Sequence, residues 1–397
     1  MHRLQLHYTL TQANSQTPSQ MPSPATLPAA FPAQVRNPLI DLLSAVAQAG
    51  SISAAARKLD LSYRHVWGEL KRWQDMLGHE LIVWEKGQSA RLTEFASKLL
   101  WAEAQAQARL APQIEALRSE LERTFAVAFD DAAHVVTLYA SHDDALGALR
   151  EHALLQAEGA LHLDIRFTGS VDAIRALNEG RCVMAGFHTQ DAPGALQSGS
   201  LAERTYKPLL QPGRHKIIGF AKRTQGLIVA AGNPLRLTSL HDVAARRSRF
   251  ANRALGTGTR VLLDDLLAQA QLRADQIQGY DHHEPSHAAV AQAVAGGAAD
   301  VGLGIAAAAH ARGLGFVELA QETYHLVCLK DALEQAPVAA LRQLLASTAW
   351  QQVINQIAGY KSTRSGEVLA LSQVLPWWSF KGHKRGRANG GTQAKVS

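Results

Sequence analysis

The sequence predicts a two-part molecule, an all-α helix-turn-helix head with a long trailing helix, followed by an α/β body. Between residues 37 and 78, apolar residues recur at helical spacing in three pieces separated by turn residues. From Thr93 to Thr124 the same spacing continues in one long helix. Beyond Asp130, short apolar runs alternate with helical segments, the texture of crossover units in an α/β domain. At 397 residues, 47% hydrophobic and 19% charged, the chain has material for two or three domains and a sizeable core. No uninterrupted apolar run reaches the ~18 residues that a membrane helix requires. The N-terminus also lacks the apolar stretch of a secretory signal, so a cytoplasmic protein without membrane contact is expected.

The two ends differ from the rest. Residues 1–36 are rich in Gln, Ser, Pro and Ala without apolar periodicity, the composition of a flexible leader. Residues 379–397 hold five Lys/Arg and no acid, and removing them lowers the net charge from +6 to +1. The basic balance therefore belongs mainly to a disordered tail and is weak evidence for a nucleic-acid partner. Cys182 in RCVMAGF and Cys328 in HLVCLK both sit in short apolar runs and read as inert core thiols.

In the head, residues 37–92, the first helix ends at Gly50, and Ser51 or Ser53 caps a short second helix. Ala54, Ala55 and Ala56 let a neighbouring helix approach closely, and Leu59 and Leu61 are expected to point inward before Ser62 opens the third helix. Val66, Leu70, Trp73 and Leu77 form that helix's buried stripe, which turns Tyr63, Arg64, His65 and Lys71 outward. An outward Arg suits a guanine edge, while Tyr, Lys and a helix N-terminus suit phosphates. Candidate DNA contacts are therefore Ser51, Ser62, Tyr63, Arg64, His65 and Lys71, with Lys86 and Arg91 on a following hairpin as a basic wing. The competing reading is an ordinary helical domain with solvated charges, since residues 37–92 carry only seven basic against six acidic groups.

GSISAAARKLDLS, LGHELIVWEKG and RLTEFASKLL, taken in order, resemble the winged helix of LysR-type regulators, and SYRHVW resembles the related ModE-type molybdate regulators. The resemblance covers residues 37–100. It implies operator DNA as a partner and a homodimer, or a tetramer, formed through the linker helix of residues 93–125. Pro112 should kink that helix or break it in two. Packing of the helix on its own second domain is the alternative to a dimer.

In the body, residues 130–378, three segments share a grammar of strand, polar loop and helix start: HVVTLYASHDDALGAL, LHLDIRFTGSVDAIRAL and SRFANRALGTGTRVLLDDLL. Such loops expose unpartnered N–H groups at the next helix's first turn and suit an anion. GTGTR is neither a Walker A loop nor a dinucleotide fingerprint. Together with RTQGLIVAAGNP and GYDHHEPSHAAVAQAVAGGAADVGLGI, these turns resemble a two-lobed type II periplasmic-binding-protein fold of the kind found in molybdate-binding proteins. The resemblance implies a second lobe over roughly 223–317 and a small-molecule effector between the lobes. The candidate effector contacts are Ser141, His142, Gly169, Ser170, Gln225, Gly256, Thr257, Gly258, Thr259 and His287. A doubly wound enzyme with phosphate loops is the competing fold.

His283, Glu284 and His287 spell H-E-x-x-H, which on a helix binds zinc for peptide hydrolysis. Pro285 argues against this, because Pro belongs just before or at a helix start, with Ser286 as its cap and His283 off the helix. Neither a catalytic centre, a metal nor a cofactor is expected. The sequence reading is a regulator that senses molybdate or tungstate and controls molybdenum-uptake or molybdoenzyme genes. The alternative is the same architecture sensing an organic anion such as formate for a formate dehydrogenase operon. An oxyanion-binding protein in molybdenum cofactor handling would require a head that does not bind DNA.

Overall fold

A computed structural model describes residues 38–83, 90–129, 133–156, 161–191 and 194–378. The leader, the basic tail and the wing tip with Lys86 lie outside the described residues. In the head, α1 (Pro38–Ala49), α2 (Ile52–Lys58) and α3 (Tyr63–Leu77) precede a two-stranded wing, β1 (Ile82–Val83) and β2 (Arg91–Leu92). Ser51 Oγ accepts the Ala54 N–H and Ser62 Oγ the His65 N–H, each at 3.1 Å, so both serines act as N-caps. The α3 helix ends at Gly78, whose φ of 69° is open to glycine at little cost. Leu43, Val46, Ala55, Val66, Leu70 and Leu81 make the head's core, flanked by Trp73 and Leu77. Leu61 departs from expectation and is exposed. The turn passes through Asp60 at φ 55° and ties the Leu61 N–H to Ala56 O, leaving the side chain outside.

The α4 helix (Glu94–Phe129) is capped by Thr93, whose Oγ1 accepts the Ala96 N–H at 3.1 Å. It runs through Pro112 without interruption and ends later than expected, so Pro112 does not break the helix in two. Its first turns pack into the head through Phe95, Ala96, Leu99 and Leu100. Farther along, Gln105, Ala108 and Ser119 are buried against the body, so the helix also packs on its own second domain.

The body continues with β3 (His134–Ala140), α5 (Asp144–Gln156), β4 (Leu161–Phe167), α6 (Ser170–Asn178), β5 (Met184–Gln190), α7 (Leu201–Tyr206), β6 (His215–Val229), α8 (Leu240–Ala245), β7 (Phe250–Arg253) and α9 (Gly258–Gln269). There follow β8 (His283–Glu284), α10 (His287–Ala295), β9 (Val301–Ile305), α11 (Ala306–His310) and β10 (Gly315–Leu329). The described chain closes with α12 (Ala336–Ala346), α13 (Thr348–Gln356), β11 (Tyr360–Ser362), β12 (Val368–Ala370) and α14 (Leu371–Val374). Strand order is β4-β3-β5-β10-β6-β9-β7-β8, with β11 and β12 also on β6.

Two long antiparallel strands, β6 and β10, run through both lobes. The second half of β10 pairs with β5 in lobe I, and the second half of β6 pairs with β9 in lobe II. The crossing lies near Arg223, Gln225 and Glu322, and the β6–β10 register slips there between Glu318 and Ala320. Apolar clusters fill each side of the sheet: Leu138, Ile165, Phe220 and Trp350 on one, Ile174, Phe187, Tyr206 and Trp377 on another, and Leu240, Phe250, Leu263 and Leu303 in lobe II. Cys182 and Cys328 are both buried, and burial pushes their thiols up to about 11 and about 12, so neither is a ready nucleophile.

Candidate functional site: an exposed recognition face and a cleft between lobes

On the head, Tyr63, Arg64, His65 and Lys71 all lie on the exposed side of α3, joined by Trp67, and Arg91 is exposed on β2. The hydroxyl oxygens of Ser51 and Ser62 are occupied as caps. Their part in such a face is to hold the backbone, leaving their O–H groups to donate outward.

In the body the loops singled out from sequence meet. A Cβ on Gly169 would come within 2.7 Å of the Gly256 carbonyl oxygen, and one on Gly258 within 3.0 Å of His188 Nδ1. Lobe I and lobe II are therefore in contact where α6 and α9 begin. Gly169 precedes α6, Thr257 caps α9, and Ser286 caps α10 with its Oγ accepting the Ala289 N–H at 3.0 Å. His283 lies on β8 and His287 in the first turn of α10, so the two imidazoles of HEPSH do not share a helical face. Glu284, between them, is fully buried and held by Arg109 of α4 at 2.7 Å. Among the described residues no cluster of three metal-binding side chains occurs.

The hydroxyls differ in what they have left to give. Thr257 Oγ1 donates to Ala254 O at 2.8 Å and caps α9, which spends its donor inside the loop. That removes Thr257 from the hydroxyl donors expected to face an anion. Thr259 Oγ1 accepts from Gln225 Nε2 at 2.9 Å and keeps its own O–H, while Gln225 also donates to Glu322 at 2.9 Å. Ser141 and Ser170 are buried with hydroxyls that have no hydrogen-bond partner among the described residues. His142 Nε2 stands 3.3 Å from Glu115 Oε2 of α4, outside good hydrogen-bond geometry.

Around these residues lies a set that the sequence reading missed. Arg223 donates to Asp143 and, at 2.9 Å, to Glu322, and Tyr360 completes the group by donating to Asp143 at 2.7 Å. Burial alone would lower the Arg223 pKa, but Glu322 and Asp143 reverse this and hold it above the usual range. Arg253, at the end of β7, is as buried but has no carboxylate within ion-pair distance among the described residues. Among the described residues its side chain makes one hydrogen bond, a 3.5 Å contact to Glu284 O, and its Nε is unpartnered. Burial first, then the charge of Arg223, pull its pKa down to about 9 against the weaker opposing charges of Asp143, Asp144 and Glu284.

His188 is buried with both ring nitrogens unpartnered and His287 with its Nδ1 unpartnered, and burial followed by the nearby arginine charges keeps both well below the ordinary histidine range. His188 stacks on Tyr324 with ring centroids 3.9 Å apart, and the Tyr324 hydroxyl is also unpartnered. A small cavity at the lobe junction is lined by His188, Tyr206, Gly258, Asp265 and Glu322. That cavity carries two carboxylates and is not lined by Arg253, Ser141, Ser170 or Thr259, which lie around it as a buried cation and neutral donors beside a helix N-terminus, groups of the kind that suit an anion. One signal for Arg253 was in the sequence: FANR places a charged residue at the end of a strand that otherwise reads as buried.

Residues 39–97 match the bacterial regulatory helix-turn-helix protein, lysR family, and residues 152–346 match the PBP superfamily domain. The first match covers the head with the start of α4, and the second lies within the body. The chain is 28% identical over 204 residues, 51% of its length, to the uncharacterized protein YvgK of Bacillus subtilis, and spans 64% of that relative. Over 110 residues, 28% of its length, it is 26% identical to an uncharacterized protein from the 5' region of a ferredoxin 2Fe-2S gene of Clostridium pasteurianum, covering 97% of that protein. Solved structures similar to this chain include an OxyR mutant from Corynebacterium glutamicum, at 15% identity over 80% of this chain and 93% of that one, with a TM-score of 0.39. ArgP from Mycobacterium tuberculosis is similar at 20% identity over 83% of this chain and 100% of that one, with a TM-score of 0.38. Among the described residues no single helix is long and apolar enough to cross a membrane.

Proposed function

We propose that this chain is a cytoplasmic transcription regulator that binds operator DNA through α3 and the wing and senses a small oxyanion, molybdate or tungstate, between its lobes. On this reading it controls molybdenum-uptake or molybdoenzyme genes. The observation that carries the anion is Arg253, a buried guanidinium at the lobe junction without a carboxylate partner. A buried cation without an ion-pair partner is costly, and a bound anion would supply that partner together with acceptors for Ser141, Ser170 and Thr259. The choice of molybdate or tungstate rests on the resemblance of the body's motifs to molybdate-binding proteins. Formate, as the effector of a formate dehydrogenase operon, is the second reading, favoured by the planar fork of Arg253, which matches a carboxylate in two-point geometry.

Calorimetric titration of the full chain with molybdate, tungstate, sulfate and formate tests the proposal. Molybdate binding that is lost in Arg253→Met supports it. Binding of formate alone moves the assignment to the organic anion, and tight molybdate binding unchanged by Arg253→Met removes the cleft as the site. For assembly, Leu117 and Val127 on α4 are exposed apolar positions that fit a homodimer through this helix. Light scattering of wild type and Leu117→Glu checks that assignment, which fails if both have the same mass.

A further inference from the structure

Pro112 has no N–H, so the carbonyl four residues earlier, Ala108 O, loses its helical donor. Ser286 of lobe II fills the gap: its Oγ donates to Ala108 O at 3.1 Å while capping α10. On the head side of Pro112, α4 is tied to lobe II by two side chains as well. Gln105 donates to Glu284 at 3.2 Å, and Arg109 grips the same carboxylate with two bonds of 2.9 and 2.7 Å. Trp101 sits where a Cβ on Gly296 would be, within 1.2 Å of it, so the indole is seated on α10 by the missing side chain.

Beyond Pro112 the contacts change lobe. Glu115 faces His142 at 3.3 Å, Ser119 accepts from Arg150 at 3.0 Å, Arg118 meets Glu151 at 3.3 Å and Arg123 meets Asp164 at 3.3 Å, all in lobe I. Both sets of anchors reach the cleft. Glu115 touches His142 on one wall. Glu284 pairs in register with Arg253 on the other and accepts from it through its carbonyl.

We infer that α4 is a two-part strap hinged at Pro112, its head-side half fixed to lobe II through Glu284 and Ser286 and its far half fixed to lobe I. Relative motion of the lobes then bends the helix at Pro112 and swings the head, which moves as one body with lobe II. The hinge position is set by the place where the helix lacks a hydrogen bond and where the anchors change lobe. The strap rests on the regulator reading only for what moves the lobes; the clamp itself needs no ligand.

The test uses the full chain carrying spin labels at Ala47→Cys with Ala245→Cys, reporting head to lobe II, and at Ala47→Cys with Asp172→Cys, reporting head to lobe I. These labelled positions are exposed, and the native cysteines are buried. Without any anion, Arg109→Ala is expected to broaden the head–lobe II distances at least twofold. The double variant Arg109→Ala with Glu284→Gln, which removes the buried charge along with its partner, should do the same and guards against simple misfolding. With molybdate or formate added to wild type, the head–lobe I distance is expected to shift while the head–lobe II distance stays. Unchanged distances in both variants, or a shift confined to head–lobe II, overturn the strap. If neither anion moves any wild-type distance but both variants still broaden head–lobe II, the clamp stands and the anion reading falls.

Discussion

Arg223 and Arg253 are equally deep, each 1% exposed, and their surroundings are opposite. Arg223 sits at the strand crossing between Asp143 and Glu322, with Tyr360 closing the group. Arg253, on the wall of lobe II, reaches one backbone carbonyl at 3.5 Å. The same side chain is therefore a completed part of the fold in one place and an open valence in the other. An internally neutralised cation costs the molecule when removed; an uncompensated one costs it when kept, and persists where something outside the chain completes it.

The largest expected effect comes from Arg223→Met, which strands two buried carboxylates and should cost about 3–5 kcal/mol in urea unfolding. Arg253→Met should leave stability unchanged or higher. An equal loss in both variants would erase the contrast. The anion side of the comparison is sharpened by the same Arg253 variant, whose affinity for the bound anion should fall roughly tenfold to a hundredfold, ~1.5–3 kcal/mol, by calorimetry.

Acid should act on the buried imidazoles. Burial holds the His325 pKa at about 4 and keeps those of His188 and His287 well below the usual value of about 6.5. The unfolded chain therefore takes up these protons first as pH falls. Stability is full above about 6.5 and drains below it, and His325 alone contributes a loss of about 2 kcal/mol at pH 5. Urea midpoints of wild type and His325→Phe at pH 7 and pH 5 measure this, and identical wild-type midpoints would reject the neutral imidazoles.

A third arginine extends the comparison to the surface. Arg64→Ala should leave stability unchanged, since the side chain is solvated, yet weaken specific operator binding by ~1–3 kcal/mol in a titration. The smallest effect is expected within the cleft. Thr257→Val should lose a helix cap, about 1 kcal/mol of stability, with little change in anion affinity, because its O–H is spent on Ala254. Ser170→Ala, whose hydroxyl is unpaired, should lower affinity instead. A larger affinity loss in Thr257→Val than in Ser170→Ala would mean that the loop rearranges to free the threonine.

The head was legible because its signals are local: Ser51, Ser62 and Gly78 mark helix ends by backbone chemistry, and Val66 and Leu70 mark the buried stripe by spacing. The lobes were legible for the same reason, from loops such as GSVDAI and ALGTGTR that open helices. The charge inventory of the cleft was not. Whether Arg223 is satisfied depends on Asp143 and Glu322, far away in sequence, and whether Arg253 is unsatisfied depends on what does not come near it. Neither leaves a trace in spacing. Thr257 was misjudged as a free donor because a hydroxyl at a helix start gives no sign of which carbonyl it faces. Leu61 was misjudged because the left-handed turn at Asp60 is invisible in the pattern of apolar residues.

The strand order has a consequence for the order of synthesis. In lobe I, β10 lies between β5 and β6, yet it is made only after β7, β8 and β9. Lobe II's strands β6 to β9 are contiguous in the chain and can pair on the ribosome before β10 adds its edge, while lobe I still waits for its middle strand. Until β10 inserts, β5 and the lobe I half of β6 expose unpaired edges, the part of the nascent chain most open to strand exchange with a neighbour or to capture by a chaperone.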